Sequence, residues 1–400
     1  MSCTSPSYRK LRPSDYFDIN AATMLQLALK VENPKYVNDI AHKLTRIVVP
    51  LHTRTHGDLM ITHCEEVPVY FLPSKIKTLQ EAANFTAINY TKPFNKALAS
   101  VAAGKDFVVL NINHLCSDGG YFKYIVSHLN DQVKSKNILP LKAEDIFSSE
   151  IDKAPIVQPW NCDPYITRIS TNGNPKADSP YGSYFTIKAK MSDLMCYDKK
   201  TKSIKKFTET LWLSHMLAAF VHKHHIDEYG GVCTCMDLRN FLPKQSIDYS
   251  LTNCFSAVSP SSHISSDMKL SEVGRLMRED MEKKIKEKHH FGFIKSLGVS
   301  SDAKPIPGIG LEITNMGALP IQKPIVDAFV SHHAKTINIS SIVSLMSFSV
   351  ADDIYIRLRY GSGVLTHEEM NKYAKSIDFF IRNISLNNTV EEAYNEMMKI

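Results

Sequence analysis

With 16 histidines in 400 residues, proton-transfer chemistry must be assigned by spacing and context rather than by composition. A histidine followed four residues later by an aspartate occurs at His114–Asp118 and again at His263–Asp267. About one such spacing is expected by accident in a chain this rich in histidine, so the bare pattern carries little weight. The second copy sits among serines that read as a helix N-cap, and Met268 follows where glycine would be needed. The first copy has a different setting. An apolar run, Phe107 to Ile112, leads through Asn113 into His114-Leu115-Cys116-Ser117-Asp118-Gly119-Gly120, and a helical pattern follows. Such a strand–turn–helix would hold an imidazole at the end of a buried strand, facing a cavity. Histidine's ordinary pKa of about 6.5 suits it to take a proton from an attacking hydroxyl or amine. The competing structural reading is a satisfied core histidine in a tight turn.

Asp118 admits two roles, a second catalytic group or a structural anion that stiffens the loop. Its place four residues along, beside Gly119 and Gly120, favours the second. Arginine is the fitting partner because its planar fork gives a carboxylate two hydrogen bonds, and Arg239 is the candidate. The two glycines are expected to supply positive φ or room for a close approach. Cys116 lies inside the motif, and packing is a better account of it than nucleophilic attack, since its side chain should point away from His114.

Periodicity predicts the elements that position these residues. Helical spacing covers 37–48 and stops at Val49-Pro50; strands are expected over 51–60, 67–72 and 107–112, with helices over 79–84 and 121–133. Residues 135–182 hold prolines 140, 155, 159, 164, 175 and 180 and read as a long connection. Strands follow at 184–189, 231–236, 337–348 and 354–359, and helices at 208–224, 266–288 and 367–383. Two mixed α/β halves, 1–165 and 166–400, joined by a Pro-rich crossover, are the economical architecture.

Bulk properties narrow the class. Apolar residues make up 44% and charged residues 22% of the chain, both near globular averages. No stretch reaches the about 18 apolar residues of a membrane span, and the first residues lack the apolar core of a secretion signal. Eight cysteines without disulfide rhythm point the same way, to a cytoplasmic protein. Cys233-x-Cys235 has no second ligand pair, so no metal is expected. The net charge of +6 is mild, and the densest basic run, Lys283 to Lys288, closes a helical pattern. Nucleic-acid binding is not expected.

The segment HLCSDGG resembles the signature of the H-x-x-x-D-G acyltransferase superfamily. That group includes chloramphenicol acetyltransferase, the plant BAHD enzymes, fungal alcohol acetyltransferases, mycobacterial polyketide-associated acyltransferases and peptide-synthetase condensation domains. Met236-Asp237-Leu238-Arg239-Asn240-Phe241-Leu242 resembles the family's D-x-R segment, whose arginine pairs with the motif aspartate, here Arg239 with Asp118. Ile313-Thr314-Asn315-Met316-Gly317 resembles the S-N-x-G segment near the cofactor channel. Two departures stand out: Asn113 occupies the place of a second histidine common among relatives, and the D-F-G-W-G element of plant BAHD enzymes is absent.

The resemblance implies two similar chloramphenicol-acetyltransferase-like lobes of mixed β-sheet with flanking helices and an active-site tunnel between them. It implies acyl transfer from a coenzyme A thioester, acetyl-CoA being the expected donor, to the hydroxyl or amine of a small acceptor. His114 is then the general base and no covalent enzyme intermediate forms. Acyl-CoA would be a co-substrate, with no tightly bound cofactor. Asn315 and Gly317, Thr252 and Asn253, and Lys284 in the basic run are the expected cofactor-side residues, the Thr252-Asn253 pair doubling as oxyanion donor. Family habit makes the chain a monomer. The alternatives are a condensation-type enzyme using a carrier-bound donor and a non-catalytic member that binds a ligand.

Overall fold

The computed structural model describes residues 6–63, 65–131, 137–158, 160–169, 183–297, 304–334, 342–361 and 365–400. Contacts divide the chain into two compact units that are not contiguous in sequence. The first comprises Met1–Ser149, Asp237–Phe255 and Ala318–Ala334; the second comprises Glu150–Met236, Ser256–Gly317 and Lys335–Ile400. The expected single boundary at 165/166 therefore differs from the contact division, in which two later segments return to the first unit.

The first unit is organised on a five-stranded mixed sheet. Its strand order is Ile325–His333, Met24–Val31, Phe107–Asn113, Ala99–Ala103, Val69–Phe71. Phe107–Asn113 is buried at every position, which is why its sequence is a near-continuous apolar run rather than an alternation. A polar ladder crosses this otherwise apolar sheet. Gln26 Nε2 donates to Asn111 Oδ1 (2.8 Å), and Gln26 Oε1 lies 2.8 Å from Ser331 Oγ and 2.7 Å from His333 Nδ1. Slipping any of these strands by one residue would leave buried amides unpaired, so the ladder fixes register and with it the position of His114.

The second unit holds the largest sheet. Its order is Ser183–Lys190, Asp353–Tyr360, Ile342–Val350, Ile309–Ala318, Cys233–Asp237, Phe255–Val258. Helices Phe207–Lys223, Leu270–Lys286, His367–Asn383 and Val390–Met397 pack against it in an apolar core that takes Trp212, Phe220 and Phe380 from the helices and Ile356 and Leu358 from the sheet. The described residues thus form mixed sheets flanked by helices, an α/β class as expected.

Several local expectations change. The single strand over 51–60 is a hairpin, Thr53–His56 with Leu59–Thr62, because Gly57 turns the chain at φ +57°. The motif helix runs only Gly119–Ser127; residues 132 and 133 of the longer expectation lie outside the described residues. Within 135–182 the described parts carry short elements, Leu141–Lys142, Ala143–Ile146 and Ser148–Lys153 among them. Residues 337–341 of an expected strand also lie outside, and the described strand is Ile342–Val350. Helix His367–Asn383 has the expected bounds. It begins in a Thr366/Glu369 capping box, as the unexpected last helix does in Thr389/Glu392. The helix Pro13–Ala21 and the central strand Met24–Val31 were not anticipated.

Candidate active site

His114 is the first residue beyond the motif strand. Its N–H donates to Thr23 O (2.8 Å), and it opens a single 3₁₀ turn through Cys116. Asn113, at the place of the family's second histidine, caps that turn by accepting from Leu115 N–H at 2.9 Å. Asn253 fixes the turn from the other side, its Nδ2 donating to the His114 carbonyl at 2.5 Å. The imidazole stands edge-on to Phe255, ring centres 4.9 Å apart, and its side chain retains 23% exposure. A half-enclosed imidazole on a clamped backbone can exchange protons with a bound molecule without the turn having to move.

Asp118 is committed elsewhere. It caps the helix Gly119–Ser127 through Tyr121 N–H (2.7 Å), accepts Cys254 N–H, and pairs with Arg239 Nη1 at 2.9 and 3.0 Å. One arginine nitrogen straddles both oxygens instead of two nitrogens meeting them side by side. The second nitrogen, Nη2, is held by the Leu251 carbonyl at 2.8 Å. Asp237 Oδ1 accepts from Arg239 Nη1 (3.0 Å) and from Arg239 N–H (3.0 Å). Burial opposes the guanidinium charge, but the carboxylates of Asp118 and Asp237 outweigh it and hold the Arg239 pKa above its ordinary value. Burial and the neighbouring Asp118 charge also raise the Asp237 pKa above its ordinary value, which for a carboxyl disfavours the charged form.

The constraint on Gly120 is space, and for Gly119 and Gly120 alike a left-handed φ is not the reason. Neither lies in the left-handed region among the described residues. Both open the helix, where φ is ordinary. A Cβ on Gly120 would meet Asp237 Oδ2 at 2.2 Å and Arg239 Nη1 at 2.5 Å, so only glycine lets the ion cluster close over the helix start. Cys116 is fully buried with Met60, Leu98 and Leu115, and burial raises its thiol pKa far above the ordinary value. A neutral, enclosed thiol is no nucleophile.

The first unit brings His114, Asp118, Gly119, Gly120, Arg239, Thr252 and Asn253 together. Thr252 is buried, its hydroxyl 3.4 Å from the Leu141 carbonyl. Asn315, Gly317 and Lys284 belong to the second unit. Asn315 is engaged within it, with Thr208 (3.1 Å), Ser347 (3.0 Å) and Gly317 N–H (3.1 Å), the last closing a turn at φ +68°. Lys284 Nζ is held by Ser259 O (2.6 Å) and Asp280 (2.7 Å). Both sets therefore have structural partners already. Among the described residues no cluster of metal-ligating side chains occurs, and no helix is long and apolar enough to cross a membrane.

A second buried ion cluster, which sequence reasoning missed, lies beside His114. Lys142 Nζ bridges Asp18 (2.9 Å) and Asp15 (3.2 Å), Asp15 also accepts from Arg9 (2.6 Å), and Asp18 Oδ1 stands 3.9 Å from His114 Nδ1. Asp15 and Asp18 are three apart on the helix Pro13–Ala21, a spacing that puts both on one face. Lys142 arrives through the pairing of Leu141–Lys142 with Leu251–Asn253, in which it lies opposite Asn253. The Asp-x-x-Asp spacing was the available signal; nothing local to residue 142 announces its partners.

No family model and no curated protein matches the sequence. Solved structures do match, over nearly the whole chain. Polyketide synthase associated protein 5 from Mycobacterium tuberculosis aligns over 94% of this chain and 97% of its own, with TM-score 0.67 and 12% identity. The TRI3 trichothecene 15-O-acetyltransferase from Fusarium sporotrichioides aligns over 95% and 97%, with TM-score 0.65 and 12% identity. The first condensation domain of the calcium-dependent antibiotic synthetase aligns over 96% and 98%, with TM-score 0.67 and 10% identity. At such identities the likeness is one of fold, and the chain carries the two-lobed α/β fold these acetyltransferase and condensation-domain structures share.

Proposed function

We propose that this chain is an acyltransferase that moves an acyl group, acetyl in the first instance, from a coenzyme A thioester to the hydroxyl or amine of a small acceptor. One observation carries the reading. The motif aspartate is fully occupied by Arg239, Cys254 and Tyr121, which leaves His114, half-enclosed on a doubly clamped turn, as the motif's group able to accept a proton. The likeness in fold to an acetyltransferase supports the same chemistry.

In this mechanism the acceptor's O–H or N–H proton passes to His114 as the acceptor attacks the thioester carbonyl. The tetrahedral intermediate then expels the thiolate, which recovers the proton from the imidazolium. The products are the acylated acceptor and the free thiol, and His114 returns to its neutral state. We place the chain in the cytoplasm and expect it to act as a monomer. The six described cysteines are all free, in keeping with a reducing compartment.

The test is release of free thiol from acetyl-CoA and longer acyl-CoA esters with a panel of alcohols and amines. His114→Ala serves in parallel, with thermal unfolding to verify its fold. Acceptor-dependent release that falls on the order of a hundredfold or more in the folded variant is expected. Activity retained by His114→Ala refutes the general-base assignment, and release only from a carrier-tethered thioester replaces coenzyme A as donor.

A further inference from the structure

We propose that Asp18 is a positioning residue for His114: its carboxylate orients the imidazole through Nδ1 and stabilises the imidazolium formed during transfer, and Lys142 keeps that carboxylate in place. The inference rests on the general-base reading of His114 and extends it to residues outside the motif.

The argument starts from an unsatisfied atom. His114 Nδ1 is buried and makes no hydrogen bond, although a buried ring nitrogen without a partner is costly. The acceptor facing it is Asp18 Oδ1 at 3.9 Å, about an ångström beyond hydrogen-bond distance. Catalytic hydrogen bonds are commonly long before substrate is bound and tighten in the reacting complex. A carboxylate at Nδ1 selects the tautomer that carries its proton there and leaves Nε2 with the lone pair. It also attracts the cation that forms when Nε2 is protonated.

The surroundings fit a fixed carboxylate better than an accidental neighbour. The Asp18 side chain is 9% exposed and its Oδ2 accepts from Lys142 Nζ at 2.9 Å. Lys142, 5% exposed, is held by Asp15 as well, and Asp15 is held by the Arg9 guanidinium and Arg12 N–H. At the rim of the cluster Arg12 pairs with Asp145, and Ser14 donates to Glu144. Phe255 meets the ring edge-on, and the Asn253 amide binds the His114 carbonyl. Counting Arg9, Lys142, Asp15 and Asp18, the inner cluster sums to zero with His114 neutral. One proton on the imidazole is then the inner cluster's net charge, placed beside Asp18, with the Glu144 carboxylate at the rim. Lys142 has a second effect. Burial works against its charge, but Asp18 and Asp15 outweigh burial and hold its pKa above the ordinary value, so it stays cationic throughout turnover. In the reaction the proton moves from acceptor to Nε2 and from Nε2 to the departing thiolate, and the Nδ1 proton is never lost.

The experiment compares Asp18→Asn with wild type and His114→Ala in the full chain. Two quantities are read: the pH dependence of kcat/KM for thiol release, and the His114 imidazole pKa by NMR titration, its resonance assigned by its disappearance in His114→Ala. Asp18→Asn is expected to lower kcat/KM on the order of tenfold to a hundredfold. It should also move the His114 pKa and the acid limb of the rate profile downward together. Where the single variant leaves Lys142 with Asp15 as its remaining counter-charge and fails to fold, Asp18→Asn/Lys142→Met removes both charges and is expected to show smaller shifts in the same direction. An unchanged His114 pKa in a folded variant overturns the inference, as does a loss of activity that leaves the profile in place. The NMR titration needs no substrate, so its outcome is independent of the donor assay. Activity surviving in His114→Ala instead removes the general-base reading itself.

Discussion

Two buried ion clusters flank the His114 turn, and they differ in one respect. Around Arg239 both oxygens of Asp118 are engaged, and the arginine is shared between Asp118, Asp237 and a carbonyl. Around Lys142 every cation is paired, but Asp18 Oδ1 faces a histidine nitrogen that has no other partner. A closed cluster can only hold the backbone where it is. A cluster with one acceptor left toward a titratable ring can respond when that ring changes charge. The sequence motif names the first and is silent on the second, which borders His114.

The comparison can be broken most strongly at Arg239. Arg239→Ala strands Asp118 in a buried site and is expected to cost roughly 3–5 kcal/mol in denaturant unfolding. A variant as stable as wild type would show that the closed cluster carries no structural weight. Gly120→Ala acts on the same cluster by steric means, driving a methyl into Asp237 and Arg239. An expected loss of about 1–3 kcal/mol should be accompanied by a smaller gain from replacing glycine within a helix, so the measured sum tests whether overlap dominates. Asp237→Asn should be the mildest change. It keeps the Oδ1 acceptor that both Arg239 contacts use. It also removes a carboxylate whose folded pKa is raised by burial and by Asp118. Ionising such a group opposes folding as pH rises through the carboxylate range. The variant should therefore match or exceed wild type in thermal stability at neutral pH, and the difference should vanish below that range. A variant that is weaker at neutral pH, with no pH-dependent difference, would mean that Asp237 is a needed counter-charge.

The motif and its strand were legible because they are local: a nearly continuous apolar run, one histidine and two glycines lie within 14 residues of each other. The Asp118–Arg239 pair, 121 residues apart, was reached through charge chemistry and the resemblance of two short segments. The roles of the glycines were only half legible, since nothing local distinguishes a residue that needs positive φ from one that needs an empty Cβ position. The strand Met24–Val31 escaped because it is enclosed on both faces and shows little alternation. Lys142 escaped for a different reason. Its partners are 124 and 127 residues away in an unremarked helix, and pairing at that range leaves no periodic trace.

The polar ladder of the first sheet also bears on how the protein is made. Ser331 and His333 reach back 305 and 307 residues to Gln26, and Arg239 reaches back to Asp118. During synthesis from the N-terminus, the first unit lacks an edge strand and the counter-charge of its motif until most of the chain has been translated. Contacts of such separation close late and slowly. The nascent first unit must wait through that interval with the Met24–Val31 edge unpaired on one side. Its central strand can form early, but the turn bearing His114 acquires its final shape only when Arg239 and Asn253 arrive.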